Sequence, residues 1–149
     1  MSLLARKDKG YTSNVTIEDE SKIRILIIDK HEAVRRALRI RLSVPNHLEV
    51  VGTVSDIDMA KIQMEALKPD VIILGLQNAS NEDLFHTALA VRDMVNETAV
   101  VIALAPYIDA VERELLLQAG AKRYLLKHIN SKKLIREIEL SSPSMPAFH

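Results

Sequence analysis

Five short strand-like runs constrain this chain more than anything else in it, because each is followed by a stretch with apolar residues at helical spacing. The central run, Val71–Leu74, is Val-Ile-Ile-Leu and has no polar face, as expected of a strand covered on both sides. The others are Ile23–Ile28, Leu48–Val54, Ala99–Leu104 and Arg123–Leu126. The spacing predicts helices between and after them: one to about Ser43 burying Val34, Ala37, Leu38 and Leu42, and one burying Ile57, Ala60, Met64 and Leu67. A third from near Asn81 buries Leu84, Ala88, Val91 and Val95, a fourth over Asp109–Gln118 turns Val111 and Leu115 inward, and a last carries Leu134 and Ile138.

Stop and start signals agree with this division. Pro45-Asn46 and Pro69 end the first two helices, Gly120 suits a left-handed cap on the fourth, and Ser55 and Ser131 read as helix caps. No hairpin-length loop joins two strands, so each pair must be parallel and joined by a helical crossover. The expectation is an α/β fold: a flavodoxin-like, doubly wound (βα)5 domain with a five-stranded parallel sheet in the order 2-1-3-4-5. Residues 22–140 form that domain, 1–21 read as a flexible leader, and 141–149, rich in serine and proline, as a tail or linker stub.

Bulk properties exclude several functions. Lys+Arg and Asp+Glu both number 20, so no global field recruits nucleic acid or an anionic membrane. There is no cysteine, which removes disulfides and thiolate metal sites and fits a reducing cytoplasm. No apolar run approaches the ~20 residues of a membrane span. The five histidines show no metal-ligand spacing. Arg35, Arg36, Arg39 and Arg41 make the first helix basic; with Glu32 placed to pair with Arg36, they read mainly as a solvated face, and otherwise as a dock for an acidic partner.

In an open α/β sheet, ligands and chemistry sit where strands end and the chain crosses to a helix. The first strand delivers Asp29 and Lys30 there, the third Gly75, the fourth Ala105 and the fifth Lys127. The segments Ile-Leu-Ile-Ile-Asp-Lys-His-Glu, Pro-Asp-Val-Ile-Ile-Leu-Gly-Leu and Ala-Gly-Ala-Lys-Arg-Tyr-Leu-Leu-Lys resemble, in order and spacing, the receiver domains of two-component response regulators. The resemblance covers about Lys22 to Leu140 and is nearest to receivers that precede a helix-turn-helix output domain.

That resemblance implies a pair of acids holding Mg²⁺, an aspartate accepting the phosphoryl group, a Thr or Ser bonding it, a lysine pairing with it and a switch aromatic. Residue by residue, Asp29 matches the first acid, Lys127 the lysine and Tyr124 the aromatic. Lys30 stands in place of the second acid, Gly75 in place of the phosphoacceptor and Ala105 in place of the hydroxyl residue. The family's three carboxylates and one lysine attract a hard cation, whereas Asp29, Lys30 and Lys127 leave a net positive set. The expectations are therefore no phosphoacceptor, no metal and no cofactor, with Mg²⁺ binding lost. Asp70 lies at the far end of the third strand, and Gln77, Asn78 and Ser80 carry no carboxylate to substitute for it.

Asp29 and Lys127 are expected to form a salt bridge across the sheet edge, Lys30 to lean toward solvent, and Tyr124 to hold one rotamer. The implied function is an atypical receiver in signal transduction, working without phosphorylation through a homodimer or protein partner on helix 4, strand 5 and helix 5. It would regulate a following DNA-binding domain in the cytoplasm, without nucleic-acid or membrane contact of its own. One alternative is a small-anion or metabolite sensor at the strand-end pocket; another is a receiver phosphorylated on a non-standard acceptor. An enzyme would need a nucleophile or paired carboxylates at that edge, and the sequence supplies neither, so no enzymatic activity is expected.

Overall fold

The computed structural model describes residues 22–77 and 81–142. Its elements alternate throughout: β1 (Ile23–Ile28), α1 (Glu32–Ser43), β2 (Leu48–Val54), α2 (Ile57–Leu67), β3 (Val71–Gly75), α3 (Asn81–Asn96), β4 (Val100–Ala105), α4 (Ala110–Ala119), β5 (Arg123–Leu126) and α5 (Ser131–Ser141). All pairings are parallel, and the strands lie in the order β2-β1-β3-β4-β5, the expected 2-1-3-4-5. The proposed leader lies outside the described residues, as do Asn78, Ser80 and 143–149.

The pleat sends successive side chains to opposite faces, and this produces two cores. Ile25, Ile27, Val71 and Ile73 pack with Leu38 and Leu42 of α1 and Leu134 and Ile138 of α5. Leu26, Ile28, Ile72 and Leu74 pack on the other face with Ala60, Met64, Val91, Met94 and Leu116 of α2, α3 and α4. β3 is buried on both faces because it is the middle strand, which is why its sequence lacks a polar side.

Three local expectations are corrected. In α4 the inward residues are Glu112 and Leu116, whereas Val111 is 70% exposed and Leu115 only half-buried. The helix is rotated by about one residue from the spacing-based reading, because its Asp109 N-cap and the buried hydroxyl of Tyr124 bring Glu112 inside. Ala37 of α1 faces solvent, leaving Leu38 and Leu42 as the fully buried contacts. The helix caps sit one residue away from the two serines. Asp56 Oδ1 accepts from the Met59 N–H at 2.8 Å, and Asn130 Oδ1 accepts from the Lys133 N–H at 2.9 Å. Ser131 is the first helical residue and its hydroxyl accepts instead from Arg41 Nε at 2.8 Å. Gly120 is the left-handed cap of α4, with φ of +117°.

Candidate functional site

The C-terminal strand ends bring together all five residues picked out at the sheet edge. Asp29 follows β1 and is fully buried; its backbone N–H donates to the Val54 carbonyl at 3.1 Å. Its Oδ1 accepts from the His31 N–H at 2.8 Å. Its Oδ2 lies 2.8 Å from Lys127 Nζ and takes no directed hydrogen bond, so the ammonium neutralises it through charge and proximity. Lys127 is itself anchored, its N–H donating to the Ala105 carbonyl at 2.7 Å. The Asp29–Lys127 salt bridge expected from the sequence is present.

Gly75 ends β3 beside this pair. A Cβ built on Gly75 would lie 1.9 Å from Asp29 Oδ2 and 2.7 Å from its Cγ. The carboxylate thus fills the volume that any side chain at position 75 would enter. Ala105 ends β4 fully buried and offers only a methyl group. Lys30 is exposed, as expected, and its carbonyl with that of Asp29 accepts from Arg35 Nη1 at 3.1 and 2.8 Å.

That last contact was not legible in the sequence. Arg35 braces the β1–α1 turn, and Arg41 Nη2 reaches the Ile129 carbonyl at 2.7 Å, tying α1 to the loop before α5. Two of the four arginines read as a solvated face are therefore structural struts. Arg36 does pair with Glu32, at 3.3 Å on the exposed side.

Beside the salt bridge lies a recess of about 210 Å³, with Lys30, Asp56, Gly75, Gln77, His86 and Glu112 in its lining. Gln77 Nε2 is buried there without a hydrogen-bond partner among the described residues. Asp70, weighed as a substitute acceptor, is spent at the opposite end of the sheet, where its Oδ2 accepts from the Arg24 N–H at 2.8 Å.

Tyr124 of β5 is turned inward and only 7% exposed. Its hydroxyl donates to Glu112 Oε1 at 2.6 Å and accepts from the Asp109 N–H at 3.2 Å. Burial first, and then the charge of Asp109, push the Glu112 carboxyl above its ordinary range, while the Tyr124 hydrogen bond works the other way. Burial, together with the bond to Glu112, pushes the Tyr124 phenol up to about 12. Glu112 is the site residue that sequence reasoning missed. Its signal was a glutamate at helical spacing from Leu116, in register with the buried stripe.

Comparison with known proteins agrees with this architecture. The family model of the response regulator receiver domain matches residues 25–139. The chain belongs to that family. The transcriptional regulatory protein LiaR of Bacillus subtilis is 31% identical over 124 residues, covering 83% of this chain and 58% of its own. A protein-glutamate methylesterase/protein-glutamine glutaminase of Cereibacter sphaeroides is 50% identical over 58 residues, 39% of this chain and 16% of its own. The chain therefore spans a minor or middling share of these relatives, not their full length. Among solved structures, the signal receiver domain of the response regulator NarL from Mycobacterium tuberculosis superposes with a TM-score of 0.68. It is 21% identical, over 78% of this chain and 93% of its own. Among the described residues no helix is long and apolar enough to cross a membrane.

Proposed function

We propose that this receiver transmits its signal without aspartyl phosphorylation, as a protein-interaction module that has exchanged strand-end chemistry for a fixed internal ion pair. The observation that carries the reading is the Asp29 carboxylate, which occupies the volume of a side chain at Gly75 while paired to Lys127. A glycine supplies no oxygen to form an acyl phosphate, and Ala105 supplies no hydroxyl to orient one. The donor set does not fit Mg²⁺ either. That ion takes near-octahedral oxygen ligands, and of Asp29, Lys30, Gly75, Ala105 and Lys127 only Asp29 has a carboxylate. Both its oxygens are already engaged.

Lacking a nucleophile and a metal site, the domain is not an enzyme on this reading. It works through protein contacts in the cytoplasm, as a homodimer or with a partner on the face of α4, β5 and α5. Exposed Tyr107, Ile108 and Val111 give that face an apolar edge. Relatives such as LiaR, named as transcriptional regulators, support a role in setting the state of an output domain.

Incubation with acetyl phosphate and Mg²⁺, followed by mass spectrometry, tests the reading. No adduct is expected on the parent chain, nor on Gly75→Asp, whose new carboxylate meets Asp29 with Lys30 and Ala105 still in place. A stable adduct on an Asp or Glu of the parent overturns the proposal.

A second reading has its own observation. Lys30 stands exposed on the recess that holds Gln77 Nε2, which has no partner among the described residues; these are two donors suited to a small anion. A thermal-shift screen of phosphate, sulfate and small carboxylates, repeated on Lys30→Ala, separates this anion sensor from the first reading.

A further inference from the structure

We infer that Glu112 is a built-in anionic latch, which holds Tyr124 in its buried position from within α4 and so sets the α4–β5 face without any group bound at the strand ends. This rests on the proposed phosphorylation-independent function and names the internal contact that regulates it.

The argument starts from the cost of the arrangement. Tyr124 packs with the apolar core of the α2–α4 face, so its hydroxyl needs a buried partner. The end of β4 gives no side-chain partner, because Ala105 has a methyl where a hydroxyl would serve, and beyond it only the Tyr107 carbonyl lies within reach, at a long 3.5 Å. The partner is instead a carboxylate, 7% exposed, on a helical stripe that otherwise buries Leu116. Burying a carboxylate without a cation beside it is unfavourable, and an apolar residue at 112 would pack on this stripe at less cost. No cation pairs with Glu112 in the described structure. The groups around it are Asp109 and Tyr124, with Lys30 and His86 elsewhere on the same recess.

What the glutamate does achieve is a short, directed bond to one phenol, at 2.6 Å. The same hydroxyl receives the Asp109 N–H at 3.2 Å, and Asp109 Oδ1 caps α4 through the Glu112 N–H at 2.9 Å. Ring, loop and helix start are thus closed into one hydrogen-bonded circuit. Releasing the phenol frees the segment that carries exposed Tyr107, Ile108 and Val111. Glu112 is a positioning residue, acting on the face through Tyr124.

The test reads Tyr124 directly. The chain has three tyrosines and no tryptophan, so a Tyr11→Phe/Tyr107→Phe background leaves one ultraviolet and fluorescence signal. In that background the phenol should titrate near 12 and resist quenching by iodide. Glu112→Gln retains an acceptor oxygen, so the ring should stay shielded while its titration midpoint falls. Glu112→Ala and Glu112→Leu remove the short bond and leave the phenol only the Tyr107 carbonyl at 3.5 Å, so the ring should be exposed several-fold more to iodide, with helical circular dichroism retained. The leucine variant keeps the site filled and reads the latch even where the alanine variant unfolds. A ring that stays shielded in Glu112→Leu, or an unmoved midpoint in Glu112→Gln, overturns the latch. The measurements contain neither phosphoryl donor nor Mg²⁺, so phosphate labelling of the parent would sink the proposed function and leave the latch standing.

Discussion

Two carboxylates are buried within the same half of this domain, and they are accommodated in opposite ways. Asp29 is fully enclosed and has an ammonium 2.8 Å from one oxygen and a backbone N–H on the other. Glu112 is nearly as enclosed, but its partner is a neutral phenol and the charge of Asp109 repels it. The first is a neutralised charge that ties β1 to β5. The second is a stressed charge whose pKa is pushed upward. The contrast teaches that a carboxylate held by a neutral hydrogen bond, with its pKa raised by burial, is open to protonation or to a competing donor.

The comparison breaks most decisively at Lys127. Replacing it by methionine strands the Asp29 carboxylate in a dry site, and loss of one partner of a buried pair costs about 3–5 kcal/mol. Urea denaturation of Lys127→Met should show that loss, with Asp29→Asn/Lys127→Met recovering part of it. A loss below about 1 kcal/mol would mean that water reaches Asp29.

A smaller effect is expected at Gly75. Its substitution by alanine forces a methyl into the Asp29 carboxylate and should cost about 1–3 kcal/mol, as overpacking generally does. Combining it with Asp29→Ala should be less damaging than the sum of the two single changes, a non-additivity expected of groups in contact.

The mildest test separates the pairs by pH. Because the Glu112 carboxyl is raised in the folded state, folding favours its protonated form. Its contribution is fully present below the ordinary carboxylate pKa and is lost as pH rises through the folded value. Stability measured upward from pH 4 should therefore carry a falling component that Glu112→Gln removes.

How much of this was legible in the sequence follows from what each signal encodes. Apolar periodicity and breakers located all five strands, because burial against two layers of helices leaves a strong mark on strands such as Val71–Gly75. They also brought Asp29, Lys30, Gly75, Ala105 and Lys127 to one edge, since strand ends are fixed by topology. Periodicity misplaced α4, where a glutamate sits on the inner face and Val111 on the outer. A polar residue buried for the sake of one hydrogen bond looks like a surface residue when only hydropathy is counted. The roles of Arg35 and Arg41 were hidden for a related reason, since both reach backbone carbonyls, which leave no trace in side-chain patterns.

The filled space beside Gly75 also couples two positions as targets for substitution. With the Asp29 carboxylate lying 1.9 Å from where a β-carbon would stand, any side chain at 75 requires that carboxylate to turn aside. The two sites are epistatic, and the order of changes matters. A substitution at 75 alone meets an unmoved neighbour, whereas varying 29 and 75 together opens the volume they share.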